Sequence, residues 1–372
     1  MSERRIHALD FVRGGAALSV AIPHFLIEQK FHGAFFEAFS IYAVEIFFVL
    51  SGFVLAPQLQ LCYEQDRGAI YWRFLVRRWM RTLPPYLIAL ALFTVAFDGF
   101  FSHDFNRYAL FLQNLTGVAV VNDYFQISWS LSVEEWFYIA FPLTIAIASR
   151  LPKRWRPSLM QLAIIFIAAF VINRTFFADF SDWGANVRRV VAFRLDSIGL
   201  GVFLYLLGQK LGGFKLGPAL AVTLIAIVAA GAAMAAILTT NATVAKHAFF
   251  FAASGLGAGF IMLAHALESL VRKSRGAVWL SDYLGKISYS TYLFHLAVWV
   301  ALAPFAGGLP LLVQLALFLA GLLVVTTTFF YLVEEPILRH RPSLRPRPKE
   351  RTSAASQSGG ATAPVAAASS TV

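Results

Sequence analysis

Long apolar runs alternate with short clusters of charged residues along almost the whole chain. An α-helix rises about 1.5 Å per residue, so about 20 apolar residues in helical form cross the hydrocarbon layer of a bilayer. We therefore predict an all-α integral membrane protein with about ten transmembrane helices. The predicted spans are 8–27, 36–57, 83–101, 128–149, 159–178, 193–209, 217–238, 247–268, 287–304 and 311–333.

The composition agrees with a membrane protein and argues against one that binds nucleic acid. Hydrophobic residues make up 58% of the 372 residues and charged residues only 14%, whereas a soluble domain carries about 25% charged residues. The formal net charge is +11, but the basic residues lie in short clusters between apolar runs, as in cytoplasmic membrane loops. Cys62 is the only cysteine and the histidines lack paired ligand spacing, so neither a disulfide nor a metal site is predicted.

The distribution of lysine and arginine predicts the orientation. If the N-terminus lies in the cytoplasm and the spans alternate, most of the 31 lysines and arginines fall on the cytoplasmic side, and Arg13 and Arg194 fall inside spans. The outer side receives only Lys30, Arg107, Arg174, Arg188, Arg189 and Lys246. Because cytoplasmic loops are enriched in basic residues, we predict a multi-pass protein of the plasma (inner) membrane with both termini in the cytoplasm.

The pattern predicts one transmembrane domain, residues 1–340, with no soluble domain inserted. Residues 341–372 are rich first in arginine and proline and then in alanine, serine and glycine. Such a segment cannot bury a core, so we predict a disordered cytoplasmic tail. The predicted cytoplasmic loop 58–82 carries basic residues spaced to form one stripe on a helix at the membrane interface. This stripe consists of Arg73, Arg77, Arg78 and Arg81.

The first span contains two polar groups whose spacing has a definite geometry. Arg13 and His24 are eleven residues apart, and at about 100° per residue they lie within about 20° of the same helical face. The rise between them is about 16 Å, which places Arg13 near the cytoplasmic surface and His24 near the midplane. Each also has a structural interpretation, Arg13 as an interfacial anchor and His24 as an interhelical hydrogen-bond partner. Together they favour a functional site, because ionisable groups are rarely tolerated inside a bilayer without a function.

Other polar residues within the spans allow the same two interpretations. Glu45 in the second span is either a site residue or the structural partner of a buried base. That base would be His24 or a loop arginine, and without such a partner Glu45 would be protonated. His295 in the ninth span is either a second site residue or a packing hydrogen bond. Glu134 and Glu135 project about 100° apart at the start of the fourth span, so at most one readily faces a given cavity, and we favour Glu134.

Six short motifs follow one another along the chain. They are Leu9-Asp10…Arg13…His24; Phe47-Phe48-Val49-Leu50-Ser51-Gly52-Phe53; Arg77-Arg78…Arg81…Pro84; Trp129-Ser130-Leu131…Glu134…Phe137-Tyr138; Leu284-Gly285-Lys286-Ile287-Ser288-Tyr289-Ser290-Thr291-Tyr292-Leu293-Phe294-His295; and Glu334-Glu335-Pro336. Over about residues 5–340 the chain resembles the membrane-bound acyltransferase family 3, integral-membrane O-acyltransferases that modify bacterial surface glycans. Two positions differ from the usual pattern, since Glu45 replaces a more frequent Asp or Gly and Phe294 replaces a frequent tryptophan.

The resemblance implies transfer of an acyl group, commonly acetyl, from cytoplasmic acyl-coenzyme A to a hydroxyl of a carbohydrate or glycolipid acceptor at the outer side. It implies no permanently bound cofactor, because acyl-CoA is a substrate. His24 is then either the general base for the acceptor hydroxyl or a covalent acyl carrier, and Glu134 either orients His24 or binds the acceptor. Arginines suit the phosphates of coenzyme A; the implied donor site consists of Arg13, Arg77, Arg78 and Arg81. The implied supporting residues are Asp10, Glu45, Ser51, Trp129, Ser130, Tyr138 and His295.

A proton-coupled secondary transporter of a polar solute is the competing interpretation, because intramembrane histidine and glutamate also suit a proton and substrate path. That path would consist of Arg13, His24, Glu45 and Glu134. Two features argue against it. No repeat relates the two halves of the chain, and the basic cytoplasmic cluster suits an anionic nucleotide donor.

Overall fold

Helices form the regular structure of the residues that the computed structural model describes, which are 5–30, 34–66, 68–96, 103–117 and 123–344, and no strand occurs within these ranges. The helices are α1 (His7–Glu28), α2 (Ala34–Gln65), α3 (Gly68–Ala96), α4 (His103–Ala109), α5 (Ser128–Ser149), α6 (Leu159–Phe177), α7 (Leu195–Leu211), α8 (Leu216–Thr240), α9 (Thr243–Val271), α10 (Arg275–Ala306), α11 (Leu311–Phe329) and α12 (Glu335–Arg339). Short 3-10 turns at Lys153–Trp155 and Val191–Phe193 and π-helical turns at Gly184–Arg188 and Phe330–Glu334 complete them.

Within the described residues, nine helices are long and apolar enough to cross a membrane. They are α1, α2, α3, α5, α6, α8, α9, α10 and the continuous segment from α11 to α12. The sixth predicted span corresponds to α7, whose 17 residues rise about 26 Å, near the lower limit for a spanning helix. The chain is therefore an all-α integral membrane protein, as its apolar runs predict.

Neighbouring helices run in the relative directions that alternating spans require. α1 and α10, the first and ninth predicted spans, are parallel, because His7 contacts Asp282 near their starts and Phe25 contacts Trp299 near their ends. We call the end of the bundle at which α1 begins the N-terminal end, and the opposite end the distal end.

α2 and α7 are also parallel, and their backbones touch. A Cβ atom on Gly52 would overlap the carbonyl oxygen of Ile198, and one on Gly201 would overlap that of Val49. Small residues allow this approach, and the resulting close packing stabilises helix pairs in membranes, where no hydrophobic effect drives helices together. The close contact between α2 and α7 places the polar face of α2 against the start of α7.

The predicted loop 58–82 is largely helical, which corrects the sequence-based boundaries. α2 continues to Gln65 and α3 begins at Gly68. α3 then runs through the basic stripe and through Pro84–Pro85 to Ala96. The clustered arginines suggested a surface segment, but Arg78 is buried because this part of α3 packs against the bundle.

Packed structure also extends past the predicted domain boundary at residue 340. Arg341 donates to the carbonyl oxygen of Arg77 at 3.0 Å, and Arg77 donates to that of Pro342 at 2.6 Å. Leu344 is buried. The remainder of the predicted disordered tail, residues 345–372, lies outside the described residues.

Candidate functional site

Three cavities lie in a row between the two ends of the bundle. The N-terminal cavity has a volume of about 520 Å³, the central cavity about 80 Å³ and the distal cavity about 560 Å³. Arg13, Val54 and Arg81 line both the N-terminal and the central cavity. Val44 and Tyr292 line both the central and the distal cavity. The shared residues mark two necks, so the three spaces form one interrupted passage.

Arginines gather at the neck between the N-terminal and central cavities. Arg13, Arg78 and Arg81 all line the central cavity. Arg13 lies 3.6 Å from Asp10, but Asp10 is held more closely by Arg5 at 2.8 Å. The guanidinium groups of Arg78 and Arg81 form no hydrogen bond or ion pair with any described residue. Guanidinium groups without carboxylate partners bind phosphate and carboxylate groups.

Arg77 differs from the other arginines predicted for the donor site. It lies outside the residues that line these three cavities and donates to Pro342 instead. Arg341 lies beside it, outside the spans, and burial together with the nearby Arg78 and Arg81 lowers the pKa of Arg341 to about 9. The structure therefore brings Arg13, Arg78 and Arg81 together and uses Arg77 to hold the segment after α12.

Glu134 lines the central cavity from α5. Ser51 of α2 donates to its Oε1 atom at 2.6 Å, and Tyr138 donates to its Oε2 atom at 2.9 Å. The adjacent Glu135 points elsewhere and accepts a hydrogen bond from Thr82 at 2.5 Å. Glu134 has no hydrogen bond to His24 among the described residues, so the alternative in which it orients His24 is not what the structure shows. The position of Glu134 on α5 explains this, because its side chain faces Ser51 and the arginines and not His24.

Tyr292 forms the neck between the central and distal cavities. Its hydroxyl donates to the carbonyl oxygen of Ile127 at 3.0 Å and accepts from Ser130, which is 2.6 Å away. Ser130 was among the predicted supporting residues, whereas Tyr292 was not singled out. The signal that could have found it is the spacing of Ser288, Tyr292 and His295, which places all three on one face of α10.

His24 and His295 form a hydrogen-bonded pair at the distal cavity. The Nδ1 atom of His24 lies 2.8 Å from the Nε2 atom of His295, and the two ring planes are inclined by 24° with their centroids 5.1 Å apart. His24 lines the distal cavity, whereas His295 is fully buried behind it. The pair joins α1 to α10.

The hydrogen bonds of this pair define its tautomers. The Nδ1 atom of His295 lies 2.6 Å from the carbonyl oxygen of Tyr292, and a carbonyl only accepts, so this nitrogen carries the proton. In a neutral ring the Nε2 atom of His295 is then an acceptor, and the Nδ1 atom of His24 must donate to it. The Nε2 atom of His24 therefore keeps its lone pair, and no described residue forms a hydrogen bond with it. A base or nucleophile is thus available at the cavity.

The rest of the distal cavity is polar and aromatic. Trp129, one of the predicted supporting residues, lines it from the start of α5. Arg188 and Arg189 line it from the loop before α7, and Glu28 and Glu37 from the ends of α1 and α2. Sequence reasoning assigned both arginines to an outer loop and did not connect them with His24.

Glu45 lies away from the passage, in a buried polar network. It forms an ion pair with Arg194 at the start of α7, and Ser197 donates to its other oxygen at 3.3 Å. Arg174 forms a second buried pair with Asp196 at 2.8 Å. Neither partner predicted for Glu45, His24 or a loop arginine, is the one that the structure shows, because Arg194 belongs to the sixth predicted span and meets Glu45 through the packing of α2 against α7.

The family model described as "Acyltransferase domain" matches residues 6–335. A protein of Staphylococcus aureus (strain COL), provisionally named as an O-acetyltransferase, is 26% identical over 325 residues, which cover 79% of this chain and 51% of that protein. The O-acetyltransferase OatA of S. aureus (strain NCTC 8325 / PS 47) is 28% identical over 195 residues, covering 46% of this chain and 31% of OatA.

A third relative is an uncharacterised protein of Haemophilus influenzae, 28% identical over 153 residues, which cover 37% of this chain and 60% of that protein. No solved structure matches the chain. The chain spans about half the length of the first of these relatives.

Proposed function

Because the chain belongs to the acyltransferase 3 family, we propose that it is a membrane O-acyltransferase. Its donor is acyl-coenzyme A, with acetyl as the acyl group, and its acceptor is a hydroxyl of a carbohydrate-containing molecule. The arginine-rich N-terminal end faces the cytoplasm of the cell, where acyl-CoA is present, and the distal end faces outward. The distribution of basic residues in the loops supports this orientation in the plasma membrane.

One observation carries the proposal, namely that a cluster of arginines and an imidazole with a free lone pair lie on one interrupted passage. Arg13 and Arg81 line the N-terminal part of this passage, and His24 lines the distal part. Coenzyme A is anionic at one end and carries its thioester at the end of a long, slender arm. A passage that is basic at one end, narrow in the middle and holds a base at the other matches that shape and charge.

The arginines hold the donor. Arg13, Arg78 and Arg81 bind its phosphates, since their guanidinium groups carry positive charge that no described carboxylate fully neutralises. The pantetheine arm then occupies the central cavity. Glu134, held by Ser51 and Tyr138, lines that cavity and accepts hydrogen bonds from the amide groups of the arm.

His24 acts as the general base. Its Nε2 atom accepts the proton of the acceptor hydroxyl while the hydroxyl oxygen attacks the carbonyl carbon of the thioester. The C–S bond then breaks, and the leaving thiolate takes the proton back from His24. His295 is a positioning residue, because accepting from the Nδ1–H group of His24 keeps the lone pair on Nε2.

Arg81→Gln is expected to weaken the binding of acetyl-CoA by about ten-fold or more. A hydrogen bond to a charged group is worth about 1.5–3 kcal/mol, and about 1.4 kcal/mol corresponds to ten-fold in affinity. Titration calorimetry of the purified chain in lipid nanodiscs measures the change. The matched control is Arg339→Gln, because the Arg339 side chain is 71% exposed and pairs only with Glu335 at 3.4 Å.

Two outcomes of that titration count against the proposal. If the unaltered chain does not bind acetyl-CoA, the proposed donor is wrong. If Arg81→Gln and Arg339→Gln bind it equally well, the donor lies elsewhere in the chain.

Tyr292→Ala is expected to raise the hydrolysis of acetyl-CoA in the absence of acceptor by about ten-fold. The Tyr292 side chain narrows the neck through which the thioester meets the acceptor hydroxyl at His24, and its removal admits additional water to the thioester. Release of the free thiol, followed with a thiol reagent, measures this leak. Tyr283→Ala is the control, since the Tyr283 hydroxyl bonds to Thr327 away from these cavities; equal leak rates in the two variants would contradict the role of Tyr292.

A further inference from the structure

The proposed chemistry leaves two arginines of the distal cavity without a role. Arg188 and Arg189 follow each other at the end of the π-helical turn Gly184–Arg188. Both line the cavity that also contains His24. Arg188 is 93% buried, since only 7% of its surface is exposed.

Arg188 forms no ion pair with any carboxylate among the described residues. Its guanidinium lies 5.3 Å from the centre of the Trp129 ring, and its Nε atom has no hydrogen-bond partner in the described residues. No described acidic group comes within ion-pair distance of it, although Glu28 and Glu37 line the same cavity. Arg189 makes one long contact, 3.4 Å to Asp123.

The fold holds these side chains in place. Val187 and Val190, which flank the arginines, are fully buried. The backbone N–H of Val191 donates to the backbone carbonyl oxygen of Asn114 at 2.9 Å, and the side-chain amide of Asn114 donates to the backbone carbonyl oxygen of Arg189. The loop is therefore anchored on both sides of the arginines, and their position is a property of the packed structure.

A buried guanidinium without an anion is unfavourable. Arg188 lies outside the spans, and burial together with the adjacent Arg189 lowers the pKa of Arg188 to about 10. Even so, an arginine stays protonated at neutral pH. Glu37 and Glu45 offset this buried charge only in part, and from beyond ion-pair distance, so an anionic ligand in the cavity would reduce the remaining penalty.

We propose that Arg188 and Arg189 form an anion subsite that selects an acceptor carrying a carboxylate or phosphate group. The inference rests on the proposed function, since it assigns the distal cavity to the acceptor. The anion binds to the arginines, Trp129 packs against the sugar, and Glu28 and Glu37 accept hydrogen bonds from its hydroxyls. The reacting hydroxyl then lies at the Nε2 atom of His24 in the same cavity.

Two kinds of acceptor share this chemistry. An acidic sugar supplies a carboxylate, and a sugar joined to a lipid or to another sugar through phosphate supplies a phosphoryl group. Both match the planar fork of arginine, which forms two parallel hydrogen bonds to an oxyanion.

The test compares three probes on the full chain in phosphatidylcholine nanodiscs. Methyl glucoside is neutral, methyl glucuronide carries a carboxylate and glucose 1-phosphate carries a phosphate. Saturation-transfer NMR titrations give the affinity of each. We expect at least one charged probe to bind about ten-fold or more tightly than methyl glucoside, and the better of the two identifies the kind of acceptor. If the unaltered chain binds all three probes with equal affinity, the inference is overturned, and no substitution is needed to show it.

Substitution then assigns the effect to the arginine. Arg188→Gln is expected to remove the preference for the charged probe, and Arg188→Lys is expected to keep part of it. The control is Arg107→Gln, which is expected to leave the preference unchanged, because Arg107 lies on the predicted outer side but does not line the distal cavity. A preference that persists in Arg188→Gln overturns the assignment. Acetyl-CoA binding, measured on the same samples, reports whether each variant is folded.

The acetyl-CoA titration also separates this inference from the proposed function. If the chain prefers charged probes but does not bind acetyl-CoA, the anion subsite stands and the acyltransferase proposal fails. If it binds acetyl-CoA but does not distinguish charged from neutral probes, the acyltransferase proposal stands and the anion subsite fails.

Discussion

Replacing His24 with alanine is expected to lower acyl transfer by at least about a hundred-fold while acetyl-CoA binding changes by no more than a few-fold. Positioned general bases contribute about 10²–10⁴-fold to a reaction rate, and His24 is the one described side chain in the distal cavity with a free imidazole lone pair. In the proposed mode the donor phosphates bind to Arg13 and Arg81, which line the other end of the passage, so donor binding is expected to survive. The ester content of surface glycans in cells, with titration of the purified variant, measures the two effects.

His295 provides the matched comparison. His295→Ala removes the acceptor of the His24 Nδ1–H bond, so turnover is expected to fall about ten- to a hundred-fold with the KM for acetyl-CoA unchanged. His295→Gln keeps an acceptor oxygen near the position of Nε2 and is expected to recover part of the loss. Equal activity of the two variants would show that the hydrogen bond does not matter, and normal transfer by His24→Ala would remove His24 from the mechanism.

The same reaction distinguishes a base from an acyl carrier. With His24 as base, protein separated from ¹⁴C-acetyl-CoA by rapid gel filtration at neutral pH carries no label. Label that requires His24 would instead mean that the imidazole holds the acyl group. Both roles use the same Nε2 atom, and this measurement separates them.

Replacing Arg194 with alanine is expected to destabilise the fold by about 3–5 kcal/mol, the usual effect of removing one partner of a buried ion pair. Arg194 and Glu45 are both fully buried, and the Arg194 guanidinium also lies over the rings of Phe48 and Phe250, 5.6 and 4.6 Å from their centres. Alanine leaves the Glu45 carboxylate buried without its cation. Thermal unfolding of the purified chain in detergent measures the loss.

Two controls bracket this effect. Arg339→Ala removes an exposed pair with Glu335, which is worth at most about 1 kcal/mol. The double variant Glu45→Leu with Arg194→Met removes both charges and is expected to be more stable than Arg194→Ala, since no unpaired charge remains. A melting temperature for Arg194→Ala equal to that of Arg339→Ala would contradict the structural role of the pair.

Helical geometry is sufficient to predict which residues of α1 share a face, but it does not predict which residues of other helices contact them. Helical periodicity alone places Arg13 and His24 on one face, and in the structure both line the same interrupted passage. The bond from His24 to His295 joins residues 271 positions apart. It depends on how closely α10 approaches α1, and Gly285, where a Cβ atom would lie 2.6 Å from Asp10, permits that approach. No local pattern encodes such a register.

The other differences between the sequence-based prediction and the structure also arise from packing between segments that are distant in the sequence. Arg194 stands within a predicted span, and its pairing with Glu45 required the parallel packing of α2 and α7, which touching glycines allow. Arg188 is a loop residue by every local criterion, yet the anchored turn before α7 buries it at the distal cavity. A charged residue in a sequence is usually predicted to lie at the surface. A charged residue that is buried in a helical bundle belongs either to a functional site or to an ion pair, and the packing of the helices determines which.

Incorporation of ¹⁴C from acetyl-CoA into base-labile esters of membrane glycans tests the central proposal most directly. Inside-out membrane vesicles expose the predicted cytoplasmic end of the bundle and retain the natural acceptor. Vesicles containing the unaltered chain are expected to incorporate label, whereas vesicles containing an equal amount of His24→Ala are expected to incorporate no more than vesicles without the protein. Equal incorporation with the unaltered chain and His24→Ala, or none with the unaltered chain, would contradict transfer at His24.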